Sequence, residues 1–295
     1  MSLSLQIIET MERLKEMAEL EADVWGTAPI PLHQTLTAVK NGGIAIGAYM
    51  DGKLVGFVYS FPGFRNGEVY LCSHMMGIAK PFRDQGIGYR LKMKQAEEAR
   101  RRGYRVIRWT YDPLQSRNGY LNLAKLGALG VEYVENCYGE MNDALNGQLP
   151  SDRFIVEWRL DERPTGERSL AKADLLKARS LTVLEAGQRA DGLLRPVLRD
   201  IDETAAPLLL TAIPLDFPQL KEQDFALALE WRLATRALFQ RLLAEGWIAA
   251  GAWRCLEEGV LYYIWKRRSE RWQQKGEEEW RSTSSTSYCA ICKWS

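Results

Sequence analysis

At 295 residues the chain has room for one large or two ordinary domains, and an apolar fraction of 46% is enough to fill their cores. The 39 lysines and arginines nearly cancel the 38 acids, and a net charge of +1 gives no drive toward nucleic acid or an anionic membrane. No apolar run approaches the ~18 residues of a membrane span. The start, MSLSLQIIETMERLK, has acids and bases where a secretory leader needs an apolar core. Five cysteines without framework spacing suit a reducing, cytoplasmic setting.

Leu3, Leu5 and Ile7 alternate and predict a first strand. Thr10 is placed to cap a helix over 11–25, whose apolar positions recur at helical spacing. A loop with prolines at 29 and 31 leads to a short helix over 32–40, ended by Asn41-Gly42-Gly43. Residues 44–50 and 53–60 read as strands joined by Asp51-Gly52, a strong hairpin signal. Pro62 to Gly67 reads as a turn and 69–79 as the next strand. After Arg83-Asp84-Gln85-Gly86-Ile87-Gly88 come a helix over 89–102, a strand over 106–111, a helix over 116–126 and a further strand. Hairpins followed by a parallel crossover predict an α/β fold: a mixed sheet with helices on both faces.

The stretch from Ser73 to Gly88 organises this half. A buried strand runs into a glycine-broken turn and then a helix. A helix start leaves backbone N–H groups unpaired and carries partial positive charge. Glycines at 86 and 88 would let a ligand approach the backbone, and Arg83 adds a charge, so the turn suits a phosphate or pyrophosphate. Neither a P-loop Gly-Lys-Ser/Thr nor a third glycine at Rossmann spacing is present.

Arg83-x-x-Gly86-x-Gly88, following Ile78 in a strand, resembles the pyrophosphate signature of the GCN5-related N-acetyltransferases (GNAT). Lys125-Leu126-Gly127-Ala128 resembles that family's helix end, and the element order agrees over about residues 3–139. The resemblance implies a GNAT acyl-CoA acyltransferase fold using acetyl-CoA or another acyl-CoA such as succinyl-CoA, with no metal. It places the pantetheine arm against Met76, Gly77, Ile78 and Ala79. The pyrophosphate falls to Arg83, Asp84, Gln85, Gly86, Ile87 and Gly88, and the start of the later helix, Ser116 or Asn118, would face the cofactor.

This chain departs from the family at three points. The position of the usual tyrosine acid is Leu123, leaving Tyr120 one turn earlier as the substitute. The usual asparagine falls on Ser116, with Asn118 two residues on. The usual glutamate base is missing, and His74, expected to share a strand face with Ile78, is the replacement. Trp25 is either core or a wall of the acceptor pocket, and His33 faces either acceptor or solvent. Ser151-Asp152-Arg153 is either a turn with an ion pair or a carboxylate clamp through Arg153. Arg100-Arg101-Arg102 reads as a solvated helix end.

The first domain is expected over 1–160, with 142–150 a polar loop and 154–160 a strand. A charged stretch with Pro164 and Gly166 marks the boundary to an accessory α/β lobe over 161–268 that packs on the first domain or forms a dimer contact. That lobe reads as strands at 179–185 and 206–213, a long helix over 219–245, and a hairpin at 247–253 and 260–265. Residues 269–295, with a charge run, a Ser/Thr run and Cys289-x-x-Cys292, read as a disordered tail. A lone Cys-x-x-Cys is a poor zinc signal. The expected activity is CoA-dependent N-acyl transfer to a small amine, an amino acid among the candidates. The alternative is a non-catalytic module that senses acyl-CoA.

Overall fold

The computed structural model describes residues 2–139, 149–161, 172–268 and 293–294. The expected boundary at 164–166, the Cys289-x-x-Cys292 pair and most of the 142–150 loop lie outside the described residues. In chain order the strands and helices are β1 Leu3–Ile7, α1 Met11–Trp25, α2 Leu32–Lys40, β2 Ile44–Met50, β3 Lys53–Arg65, β4 Glu68–Ile78, α3 Ile87–Arg101, β5 Val106–Tyr111, α4 Ser116–Gly119, β6 Leu129–Val134 and β7 Arg153–Arg159. There follow α5 Lys172–Lys177, β8 Thr182–Gln188, β9 Leu194–Leu198, β10 Leu209–Pro214, α6 Phe217–Gln223, α7 Phe225–Ala244, β11 Trp247–Cys255, β12 Val260–Arg267 and β13 Lys293–Trp294. The elements fall into two compact units. One holds residues 1–110, 157–163 and 290–295; the other holds 111–156 and 164–289.

In the first unit β1, β2, β3 and β4 form an antiparallel meander, and β4 then pairs β5 in parallel. Thr10 caps α1, its hydroxyl accepting from the Arg13 N–H. Asp51 and Gly52 both take positive φ, as a two-residue hairpin loop requires. The expected turn at 62–67 shrinks to Asn66-Gly67, again both at positive φ, and β3 and β4 run on to Arg65 and Glu68. Pro62 is tolerated because β2 pairs only as far as Ser60, so the edge beyond it is open. One face of the sheet packs Phe57, Tyr59 and Met75 against Leu14, Met17 and Leu20 of α1 and Val39 of α2. On the other face α3 lies over Met76 and Ile78.

The second unit holds a sheet ordered β6-β11-β12-β10-β8-β9, antiparallel except for the β10–β8 pair. The helix expected over 219–245 is two helices. Asp224 ends α6 and caps α7, its carboxylate accepting from the Leu227 N–H. β9 was not foreseen; its Arg195 and Pro196 mask the alternation. Phe154, Phe239, Tyr263 and Trp265 form an aromatic core whose ring centroids lie 5.0–5.9 Å apart.

Two carboxylates lie beside this core, Asp152 fully buried and Asp112 mostly so. Arg232 Nη2 donates to Asp112 Oδ2 at 2.6 Å. Arg236 grips Asp152 with two hydrogen bonds of 2.8 Å. Burial pushes the Asp112 carboxyl up, but Arg232, Arg153 and the Leu114 N–H outweigh it and hold the group below its ordinary value.

Candidate active site

The central feature is a fork between two parallel strands. β4 and β5 pair only at Leu71–Ile107 and Cys72–Arg108. Beyond Cys72, β4 continues to Ile78 against β3 alone on one side. Its other edge is open to a chain that can pair with it, and β13 does so in parallel, Lys293 beside Met75 and Trp294 beside Met76. Since β3 holds the first edge at these same residues, β13 lies on the β5 side of the fork.

His74 stands at the start of the fork and is the extra residue of a β-bulge. Tyr59 pairs with Met75, whereas Ser60 pairs with Ser73, so His74 has no opposite residue. The bulge overturns the expected sharing of a face between His74 and Ile78. Instead the imidazole lies against the rings of Tyr59 and Phe61, with centroids 6.0 and 5.4 Å away. Burial, with help from Glu21, pushes the Tyr59 hydroxyl up to about 12, so it stays neutral near pH 7.

Gly77 is closely covered. A Cβ there would come within 3.0 Å of both Phe57 and Trp25. Trp25 therefore roofs the open part of β4, as a pocket wall would, and meets Phe57 edge-on at 6.0 Å.

After Ile78 the chain makes one short turn of 3-10 helix at Lys80–Phe82. Arg83, Asp84, Gln85 and Gly86 are exposed. Asp84 and Gly86 take positive φ, which aims the chain into α3. Gly86 is the N-cap of α3 with no side-chain cap, and a Cβ on it would meet nothing within 4 Å. Space for a ligand thus lies at Gly86. Gly88 serves another end: it is buried, and a Cβ there would come within 3.2 Å of Met76 and 3.4 Å of Ile78. Its smallness seats α3 on β4. Arg83 Nε donates to the Ile78 carbonyl and Gln85 Nε2 to the Pro81 carbonyl, each at 3.2 Å, bracing the turn. Beside it a cleft of ≈ 720 Å³ is lined by Glu16, Glu19 and Asp23 of α1 and by Lys53, Lys80 and Arg83.

Residues 9–127 match the family model described as Acetyltransferase (GNAT) family. This segment is a GNAT acetyltransferase domain. The GNAT family comprises acyl-CoA-dependent N-acetyltransferases. The domain is similar to the ribosomal-protein-S18-alanine N-acetyltransferase from Escherichia coli, at 13% identity and TM-score 0.45, over 56% of this chain and 98% of that one. An N-acetyltransferase from Staphylococcus aureus Mu50 gives 16% identity and TM-score 0.46 over 55% and 100% of the two chains. Aminoglycoside 6'-acetyltransferase type Ii gives 21% and 0.43 over 56% and 100%. No curated protein matches the chain.

The GNAT domain brings Trp25, Met76, Gly77, Ile78, Ala79 and the 83–88 turn into one region of the first unit. His33 is exposed on α2, its carbonyl accepting from the Thr37 hydroxyl. The remaining expected residues belong to the second unit. Ser116 is buried, and its hydroxyl donates to the Leu215 carbonyl at 2.6 Å. Asn118 is half-buried on α4. Tyr120 opens a π turn over Tyr120–Lys125, its ring lying under Arg254 at 4.1 Å and Lys125 at 5.6 Å. Leu123 is core, 1% exposed. Arg153 donates to the Asp152 carbonyl and lies over the Tyr138 ring. The ion pair sought within Ser151-Asp152-Arg153 is not formed there; Asp152 pairs with Arg236, eighty-four positions along the chain.

Sequence reasoning missed Lys92. It is 0% exposed, with Nζ 3.1 Å from Ser73 Oγ, 2.7 Å from Gln95 Oε1 and 3.8 Å from the centre of the Trp109 ring. A signal was available: Ile87, Leu91, Ala96 and Ala99 mark the buried stripe of α3, and positions 92 and 95 fall on it.

Among the described residues no group of acids, cysteines and histidines could hold a metal ion, and no helix is long and apolar enough to cross a membrane.

Proposed function

We propose that the protein moves an acetyl or succinyl group from acyl-CoA to the amine of a small molecule, an amino acid being the first candidate. The observation that carries this is the fork, with β4 leaving β5 after two pairs and running straight to an uncapped helix start at Gly86. An extended pantetheine arm needs an open strand edge, and a diphosphate needs free N–H groups. The open space at Gly86 and the edge that β5 leaves after Cys72, which only the two residues of β13 follow among the described residues, fit both.

The first N–H groups of α3, on Ile87, Gly88 and Tyr89, have no carbonyl behind them in the helix and would hold the diphosphate. Arg83 adds charge-assisted contact. The backbone of Met76 to Ala79 orients the arm, with Trp25 excluding water above Gly77. When bound, acyl-CoA supplies the activated acyl group; the incoming amine forms the amide bond as the carbon–sulfur bond breaks and the sulfur leaves as a thiol. His74 takes the proton that the amine sheds, and the leaving sulfur takes one up as the carbon–sulfur bond breaks. In the neighbouring cleft the α1 wall carries Glu16, Glu19 and Asp23, which suit an amine, while Lys53, Lys80 and Arg83 opposite them suit a carboxylate, as an amino acid would need.

The test is thiol release from acetyl-CoA and succinyl-CoA with pooled amino acids. His74→Ala is expected to lower kcat by about a hundredfold with little change in the KM of the acyl donor. If no acceptor yields CoA while CoA raises the melting temperature, the protein is a sensor of acyl-CoA instead. β13 lies along the same edge as the arm. A variant ending at Arg268 is therefore expected to bind CoA up to about tenfold more tightly by calorimetry, since backbone hydrogen bonds no longer have to be displaced. Unchanged affinity would show that β13 does not contest the edge.

A further inference from the structure

The buried ammonium of Lys92 sits under the fork. The last paired residues are Cys72 on β4 and Arg108 on β5. Lys92 touches the very next residue on each strand: Ser73 through its hydroxyl, Trp109 through its ring face. Gln95, one turn along α3, accepts from Lys92 and donates through Nε2 to Ser73 Oγ at 3.0 Å. Trp109 is wedged in turn against Trp158 at 6.5 Å. A cation taken from water to 0% exposure costs several kcal/mol unless its partners are well placed. A methionine would fill the same space without that cost, so packing alone does not account for a lysine.

We propose that Lys92 is a positioning residue that sets the opening between β4 and β5, and with it the fit of the acyl-CoA arm. Ser73 immediately precedes the bulged His74. Lys92 lies on α3, whose first turn is the diphosphate-binding end in the function proposed above, on which this inference rests. One side chain therefore ties the helix that would hold the diphosphate to the point where the strands part. A ligand that spans both ends is sensitive to that tie, whereas the acceptor amine is not.

The test compares wild type with Lys92→Met in KM and kcat for acetyl-CoA, in CoA affinity by calorimetry and in melting temperature. The expected result is a rise of about tenfold in both the acetyl-CoA KM and the CoA Kd, with kcat and the acceptor KM within about twofold and a melting temperature unchanged or higher. A purely structural lysine would lower the melting temperature and leave KM and Kd alone, and that result overturns the inference. If Lys92→Met does not fold, Ser73→Ala decides by the same KM and Kd, because it cuts the link to β4 and leaves Lys92 on Gln95 and Trp109. Wild type that takes up no CoA overturns the function and this inference together; wild type that binds CoA as well as Lys92→Met does overturns this inference alone.

Discussion

Asp152→Ala is expected to lower the melting temperature by roughly 10 °C, the counterpart of about 3–5 kcal/mol for breaking a buried ion pair from one side. Asp152 is 0% exposed and all its acceptor capacity is in use. The Tyr133 hydroxyl donates to Oδ2 at 2.7 Å, Arg236 donates to both oxygens, and the Asn136 N–H donates to Oδ1 at 2.9 Å. Alanine leaves all three donors without that acceptor. Arg236 keeps Glu135, but Glu135 is half exposed and cannot make good the loss. Tyr133 is held by the same aromatic core as Phe154 and Phe239, so the damage reaches the packing of α7. Thermal melts of Asp152→Ala and Asp152→Asn check this. The asparagine keeps the shape and one acceptor oxygen and is expected to lose less. Equal melting temperatures for wild type and Asp152→Ala would show that Arg236 and Tyr133 find other partners at no cost.

Gly77→Val is expected to cost more than about a hundredfold in kcat/KM for acyl-CoA, the scale set by a displacement of about 1 Å at a reacting centre. A Cβ alone already reaches 3.0 Å from the rings of Phe57 and Trp25, and rings cannot swing away as a flexible chain end can. Phe57 is fixed from behind, being 0% exposed in the core beneath α1, while Trp25 is only half-buried. Relief must come from twisting β4 or lifting Trp25, and either one changes the edge at Met76 to Ala79. Initial rates of CoA release and the acetyl-CoA KM measure the loss. Wild-type KM in a folded Gly77→Val protein would separate this stretch of β4 from donor binding.

Much of the first unit was legible because its punctuation is local. Thr10 caps its helix, Asp51-Gly52 turns its hairpin and Gly86 bends the chain into α3, each by a rule that acts within four residues. The glycine turn and the strand before it were found for the same reason. The fork was not readable, since nothing in Val106 to Tyr111 says how far that strand will follow β4. Nor was the bulge, and one unpaired residue was enough to move His74 to the face opposite the one strict alternation gives. Lys92 was lost to its residue type: a lysine among good helix formers reads as solvated, although its position says otherwise. In the second unit Asp224 ends one helix while capping the next, a double duty that an unbroken run of apolar spacing conceals.

The segment Tyr120–Lys125 turns with π geometry, which holds one more residue than an α-helix closing the same loop. Lys125 consequently lies over Tyr120, five positions back. Such a turn is a reserve of chain length. Excising a single residue from it can be absorbed by a return to ordinary helical winding, whereas the same deletion within β10, which follows β12 residue for residue, would throw a whole strand out of step. The excision would not be silent for Tyr120, which would swing by about 100° around the helix axis. In this short segment, length and the aim of one phenol are a single variable.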